Sequence, residues 1–157
     1  MTTEFQWSIG AAKQQPTPWR KLLVPTDFSA ASEAALRVAV AIARRDESRM
    51  TLLHVVDING QAPDIGSVRG VEFMARKRTD GFTKLRDCAD SIAAIGLAVV
   101  PIVLEGLPCE QILACAKSHD LVVLARTKRR RRWRWFARRT WPAVVADCPA
   151  SVMLVSL

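Results

Sequence analysis

A dense run of basic side chains between residues 126 and 139 carries the most readable chemistry in this sequence. The segment reads RTKRRRRWRWFARR and contains eight Arg, one Lys and no acid. The chain has 23 basic and 15 acidic residues, so its net charge of +8 comes entirely from these nine side chains. Because like charges repel, we expect the run to need a counter-anion. The candidate anion-binding residues are Arg126, Lys128, Arg129, Arg130, Arg131, Arg132, Arg134, Arg138 and Arg139.

Two tryptophans alternate with these arginines, and this pattern is compatible with several classes of ligand. Trp133 and Trp135 alternate with basic residues, as in surfaces that stack single-stranded bases among cations, where stacking contributes ~1–3 kcal/mol per base. Anionic lipid headgroups, a nucleotide or an acidic protein would suit the same composition. The simpler alternative is that the tryptophans are buried at a dimer contact, while the arginines are solvated or paired with acids.

The composition predicts one soluble, cytoplasmic globular domain. A length of 157 residues suits a single core, and half of the residues are apolar. No apolar run approaches the ~20 residues that cross a bilayer, and the N-terminus lacks the pattern of a signal peptide. The cysteines lack the spacing of a metal site, so we predict reduced, buried thiols without zinc or disulfides. They are Cys88, Cys109, Cys115 and Cys148.

Strands that alternate with helices predict a parallel α/β sheet covered on both faces. The predicted strands cover residues 21–25, 50–56, 97–104, 120–125 and 151–157, and Pro101 indicates an edge strand. The predicted helices run from the N-cap Ser29 to about residue 45, over 71–95, from Pro108, and from the N-cap Thr140 to about residue 146. Residues 1–18 are predicted to form a flexible arm, with Trp7 or Phe5 docking on the domain at 19–157.

Ligands of open parallel sheets bind beyond the carboxyl ends of the strands, and three features converge there. The first strand ends in Pro25-Thr26-Asp27, the second in His54-Val55, and the basic run follows the fourth. With these residues in view, the chain resembles the universal stress protein family over about residues 19–157. The matching segments are RKLLVPTDFS at 20–29, LLHVV at 52–56, EGLPCEQIL at 105–113, DLVVLA at 120–125 and SVMLV at 151–155.

This resemblance implies a Rossmann-like fold of the adenine nucleotide alpha hydrolase type. It implies an open five-stranded parallel sheet in the order 3-2-1-4-5, with helices on both faces, and usually a homodimer joined through the last strand. In ATP-binding members the residue matching Asp27 contacts the adenosine, and the backbone at the position of Val55 contacts adenine, while Pro25 and Thr26 would line the pocket. The alternative is that Asp27 only caps a turn beside Ser29.

The family's phosphate-binding glycines are missing from this chain. The first glycine position is Ala125 and the second is Lys128, and the last pair is Arg138-Arg139 or Arg139-Thr140. Side chains there would intrude where backbone amides must approach the phosphates. ATP binding is therefore either lost or rebuilt with guanidinium groups. If a nucleotide site is retained, its residues are Pro25, Thr26, Asp27, Val55, Leu124, Ala125, Lys128 and Thr140.

Support for catalysis in the sequence is thin. His54 is predicted to be a satisfied core residue and His119 to face solvent at a helix end, and no GxSxG, HExxH or P-loop signature occurs. We predict a regulatory or protective stress protein with no catalytic residues, no metal and no resident cofactor. The one cofactor that the sequence leaves possible is ATP or another adenine nucleotide. The competing hypotheses are a polyanion-binding module built on residues 126–139, and a slow ATPase or nucleotide phosphotransferase.

Overall fold

The computed structural model describes residues 18–58, 67–126 and 140–156. In chain order the elements are β1 (Lys21–Pro25), α1 (Ala30–Asp46), β2 (Arg49–Asp57), α2 (Val68–Ala93), β3 (Val99–Gly106), α3 (Pro108–Ala116), β4 (Leu121–Arg126), α4 (Thr140–Asp147) and β5 (Ser151–Ser156). The strands form one sheet in the order β3-β2-β1-β4-β5, and every neighbouring pair is parallel. The predicted fold class and strand order are confirmed. The flexible arm and the aromatic docking predicted for the N-terminus lie outside the described residues.

Alternate residues of the central strands divide the core into two layers. On one face, Leu22 and Val24 of β1 pack in a cluster that includes residues of α1 and α2. On the other face, Leu23 of β1 packs in a cluster with residues of α3 and α4. Because β1 is buried on both faces, its sequence is apolar almost throughout, as is typical of parallel sheets.

Local sequence signals predict most helix and strand boundaries to within a few residues of those in the structure. The Ser29 side chain accepts from the backbone N–H of Ser32 and caps α1, as predicted. Helix α2 begins three residues before the predicted start because Ser67 caps it, with the hydroxyl accepting from the Gly70 N–H at 3.1 Å. Gly96, predicted to stop this helix, has a φ of 85° just beyond its end. β3 lies at the edge of the sheet, as the position of Pro101 predicted.

The prediction that His119 faces solvent is wrong. The ring is half-buried, and its Nδ1 lies 2.7 Å from the Cys115 carbonyl oxygen while its Nε2 lies 2.8 Å from the Thr51 hydroxyl. Because α3 ends at Ala116, the chain turns back towards the sheet and His119 can reach β2. A helix-end position along the sequence could not reveal this contact with a strand 68 residues away.

The four cysteines are free thiols that are half-buried, less enclosed than the sequence predicted. Cys88 packs against the core beneath α1 and α2, whereas Cys109, Cys115 and Cys148 pack against the opposite one. Burial raises the pKa of the Cys88 thiol, with Asp87 and Glu33 adding to the effect, and burial alone raises the pKa of Cys115. Both thiols are therefore poor nucleophiles.

Across the described part of the chain, no helix is both long enough and apolar enough to span a membrane. The same residues hold no group of three or more His, Cys, Asp or Glu side chains that could bind a metal ion.

Candidate functional site

The β1–α1 loop, residues 26–29, carries the predicted site residues at the carboxyl edge of the sheet. Pro25 is buried at the end of β1 and lies opposite Leu53 of β2 in register. The next backbone N–H, from Thr26, donates to the Leu53 carbonyl oxygen at 2.8 Å, so the loop leaves the sheet in a defined direction. Asp27 then projects from the surface as an exposed side chain.

The hydroxyl of Thr26 organises this loop. Its Oγ1 accepts from the Phe28 N–H at 3.1 Å and donates to the Ser32 hydroxyl at 3.1 Å. Ser32, which is only 3% exposed, donates in turn to the Ser29 carbonyl oxygen at 2.9 Å. These bonds tie the end of β1 to the first turn of α1, so the loop is preorganised by its own side chains.

Asp27 performs the turn-capping role that the simpler sequence interpretation gave it. Its Oδ1 accepts from the Ser29 N–H at 3.0 Å, the hydrogen bond of an Asx turn. A carboxylate has two oxygens and about four acceptor positions, so this bond leaves capacity for a ligand. The geometry is therefore compatible with both the structural and the adenosine-contacting role.

His54 lies beneath the loop and is satisfied, as predicted. It is half-buried, and its Nδ1 donates to the Thr26 carbonyl oxygen at 2.9 Å. Burial lowers the pKa of His54, the Thr26 bond and Asp27 partly oppose this, and Lys84 and Lys77 lower the pKa further.

Phe28 and Lys84 are site residues that the sequence reasoning missed. Phe28 has a φ of 61°, which is rare for a bulky side chain, and its ring centroid lies 4.6 Å from that of His54. The Lys84 ammonium, from α2, lies 5.6 Å from the centre of the Phe28 ring. No sequence motif marks either residue, because both contacts depend on how α2 lies against the loop.

Val55 and Leu124 take different positions in the sheet. Val55 is half-buried near the carboxyl end of β2, opposite Leu104 of β3. Leu124 is only 7% exposed and packs in the core beneath α3 and α4. Its side chain is therefore a core residue, which leaves only its backbone available to a ligand at this edge.

At the first glycine position of the family's loop, β4 continues as a regular strand. Ala125 and Arg126 pair in register with Val155 and Ser156 of β5. The Arg126 guanidinium carbon lies 5.4 Å from the centre of the Trp141 ring in the first turn of α4. This cation–π contact links the two ends of the stretch that joins β4 to α4.

Thr140 is the first residue of α4 and is half-buried. Thr140 therefore lies in the first helical turn, whereas the sequence predicted that it would be the N-cap residue of this helix. The remaining residues of the predicted anion-binding run lie outside the described residues, as does the aromatic pattern around Trp133. They are Lys128, Arg129, Arg130, Arg131, Arg132, Arg134, Arg138 and Arg139.

A groove of about 570 Å³ lies beside α2 rather than over the β1–α1 loop. Its lining includes Ile58, Val71, Met74, Arg78 and Glu105. It shares no residue with the predicted nucleotide site. We base the candidate site on the converging strand ends, because the hydrogen-bonded loop and Asp27 lie there.

An open parallel sheet with helices on both faces and a preorganised loop at the carboxyl end of its first strand defines a doubly wound α/β domain. The model of the universal stress protein family matches residues 18–156. The chain therefore belongs to the universal stress protein family.

Individual relatives agree with this assignment. A universal stress protein of Methanocaldococcus jannaschii is 26% identical over 122 residues, which cover 68% of this chain and 75% of the relative. The structure of universal stress protein UspA from Lactobacillus plantarum superposes with a TM-score of 0.77 at 26% identity, covering 89% of this chain and 99% of that one. A universal stress protein solved in complex with cAMP has a TM-score of 0.65 at 19% identity, covering 88% and 97%. This last likeness shows the fold alone.

Replacing Thr26 with Val removes the hydroxyl at the centre of the loop network while keeping the side-chain shape. Because the Phe28 N–H and the buried Ser32 hydroxyl both lose a partner, we expect the free energy of unfolding to fall by about 1–3 kcal/mol. Urea denaturation followed by circular dichroism measures this change. Thr83→Val, which removes an exposed hydroxyl bonded to a carbonyl within α2, is the matched control and should change stability by less than about 0.5 kcal/mol. Equal effects of the two substitutions would contradict the role given to Thr26.

Proposed function

We propose that this protein is a regulatory or protective universal stress protein of the cytoplasm that acts by binding, without efficient catalysis. We further propose that it does not hold ATP in the glycine-loop manner of ATP-binding members. The observation that carries this proposal is the continuation of β4 through Ala125 and Arg126, in register with β5.

A regular strand is a poor cradle for phosphates. In an extended strand, successive backbone N–H groups point to opposite sides, so they do not converge on one anion as they do in a glycine nest. Ala125 adds a Cβ where a glycine would allow close approach. The Arg126 guanidinium carbon, 5.4 Å from the centre of the Trp141 ring, places a cationic side chain near the start of α4.

The described residues also offer little for catalysis. The histidine nearest Asp27 along this edge is His54. Its Nδ1 donates to the Thr26 carbonyl, and its Nε2, the nitrogen that keeps the lone pair, lies against Gly81 of α2. A general base needs a free nitrogen within hydrogen-bond reach of the group it deprotonates. The alternative of a slow ATPase or nucleotide phosphotransferase therefore rests on Asp27, and it requires that Asp27→Ala abolish turnover.

Nucleotide titrations test the proposal. We expect ATP to stabilise the protein no more than GTP or inorganic triphosphate do at equal charge and ionic strength, because no adenine-selective triphosphate site is formed. A specific ligand at 100 times its Kd would add about 2.7 kcal/mol, which a thermal-shift assay detects readily. Parallel titrations with ADP, AMP and cAMP show whether an adenosine group binds at Asp27 and Val55 without a triphosphate site.

Asp27→Ala is the control variant for that experiment. An ATP-specific stabilisation that inorganic triphosphate does not reproduce, and that disappears in Asp27→Ala, would overturn the proposal. Phosphate release that exceeds background and is also lost in this variant would support the enzyme alternative.

A second candidate function is recruitment of a polyanion through residues 126–139. Excluding this run, the chain has 14 basic and 15 acidic residues, so the charge is concentrated in one place. The first residue of the run, Arg126, is in the described part of the chain, and its guanidinium lies over the indole ring of Trp141. Single-stranded nucleic acid is the polyanion this composition fits best, because tryptophans alternate with arginines.

Replacing Arg129, Arg130, Arg131 and Arg132 with Gln should abolish most binding to a single-stranded oligonucleotide. Each neutralised phosphate contact releases counterions, so wild-type affinity should fall steeply with salt and the variant's salt slope should be shallower. Fluorescence anisotropy between 50 and 300 mM salt measures both. The control replaces four exposed basic residues of α2, Arg69, Arg76, Lys77 and Arg86, and should leave binding nearly intact. Equal losses in the two variants would contradict a role for the run.

We also propose that the protein is a homodimer joined through β5. This strand is an edge of the sheet, and the Met153 side chain on it is 37% exposed. An unpaired edge with apolar side chains is a template for pairing with another chain.

Met153→Asp should shift the protein from dimer to monomer, because a carboxylate would be buried without a partner in the interface. Sedimentation velocity across a hundred-fold range of concentration measures the state. Val100→Asp, on the opposite edge strand β3 and 57% exposed, is the matched control and should remain dimeric. A monomeric wild type, or dissociation by Val100→Asp alone, would contradict the proposed interface.

A further inference from the structure

His54 joins three separate parts of the molecule at the carboxyl edge of the sheet. It belongs to β2, its Nδ1 donates to the Thr26 carbonyl oxygen in the β1–α1 loop at 2.9 Å, and its ring lies 4.6 Å from that of Phe28. On its other side the ring meets α2 at Gly81. The position of this one side chain is thus coupled to the loop that carries Asp27 and to the longest helix described.

The contact with α2 depends on a residue without a side chain. A Cβ built on Gly81 would lie 2.7 Å from Cδ2 of His54 and 3.1 Å from Nε2. The first distance is too short for any real contact, so α2 can approach this closely only because residue 81 is glycine. Gly81 is buried in the middle of a helix, where glycine is less favourable than alanine. The physical reason for a glycine at position 81 is the space that it leaves for the His54 ring.

Phe28 holds the loop in a strained conformation that the His54 ring helps to stabilise. A φ of 61° is unfavourable for a non-glycine residue and persists only where surrounding contacts offset the strain. Those contacts are the Thr26 hydroxyl on the Phe28 N–H, the His54 ring, and the Lys84 ammonium over the Phe28 ring. Removing the His54 ring from its position would therefore release Phe28 and the adjacent Asp27.

Burial is the main factor that opposes a proton on the His54 ring. It lowers the pKa of His54, and Lys84 and Lys77 from α2 lower this pKa further. From the β1–α1 loop, Asp27 and the Thr26 carbonyl favour the charged form but do not outweigh burial. The neighbouring strand β3 contributes the uncharged Val103 at the matching register position.

We propose that His54 is a pH-sensitive latch: neutral, it holds the β1–α1 loop against α2, and when protonated it leaves its position and frees Phe28 and Asp27. The neutral His54 ring is held in this latch by three groups: the Thr26 carbonyl, the Phe28 ring and the backbone of Gly81. This inference concerns the loop itself and does not depend on whether a nucleotide or a polyanion is the protein's ligand.

The direction of the pH effect follows from linkage. A folded-state pKa below the ordinary value means that the opened loop, where His54 is solvated, binds the proton more readily. Loop closure is therefore unaffected above the ordinary histidine pKa of about 6.5 and weakens as the pH falls below it. At pH 5 the open population can rise by at most about 30-fold relative to neutral pH, the limit for a ring that protonates only when open.

Hydrogen–deuterium exchange of the full-length protein at pH 7.5 and pH 5.0 tests the latch, after correction for the intrinsic exchange rate at each pH. Peptides covering residues 26–33 and the middle of α2 should lose protection by about 3-fold to 30-fold at the lower pH. A peptide from α3, residues 108–116, reports global unfolding and should keep its protection.

Two substitutions make the test specific for His54. His54→Asn keeps a donor for the Thr26 carbonyl, and His54→Phe keeps a ring for Phe28, but neither can titrate. Both should abolish the pH response of the loop, whatever their protection at neutral pH, and Gly81→Ala should leave the loop open at both pH values. The proposal is overturned if wild-type protection of residues 26–33 is independent of pH, if the response persists in both His54 variants, or if α3 opens equally.

Discussion

The polar groups of Thr26 form the constraint on which the carboxyl edge of this protein depends. Its N–H donates to β2, its carbonyl accepts from the His54 ring, and its hydroxyl bridges to the Phe28 N–H and to Ser32 at the start of α1. One residue therefore satisfies its own polar groups while joining β1, β2 and α1. The exposure of Asp27 and the conformation of Phe28 both follow from that arrangement.

The chain separates a nearly neutral framework from one strongly charged stretch. The described residues of the two core layers come from β1, β2 and β4 and their covering helices. Because like charges repel, the charge of the basic run opposes compaction unless an anion is present.

The two sides of the candidate site differ in the groups that their described residues present. The loop of Thr26 and Asp27 is held by hydrogen bonds of its own side chains, whereas the end of β4 offers a strand ladder and a guanidinium over an indole ring. Structural likeness to universal stress proteins extends over 89% of the chain for the Lactobacillus plantarum structure. Such likeness describes the sheet and its helices, while the ligand depends on side chains at its edge, which is why fold and function must be argued separately.

The amino-acid sequence alone determined the fold class, the strand order through the family resemblance, the Ser29 cap and the positions of the strands. The fold class, the strands and the cap follow from hydrophobic periodicity and capping chemistry, which act over a few neighbouring residues, whereas the strand order came from the resemblance alone. The same sequence also predicted a satisfied His54, and it offered the turn bond of Asp27 as the alternative to an adenosine contact, because a buried strand and an Asp-x-Ser turn are local patterns.

Only the tertiary structure decided the surroundings of His54, the partner of His119 and the regular path of β4. Gly81 and Lys84 approach His54 and Phe28 because α2 crosses the sheet at that point, and Thr51 meets His119 across 68 residues of sequence. Contacts of this kind depend on the packing of elements that are distant along the chain. Local propensities carry no information about which side chains such packing brings together.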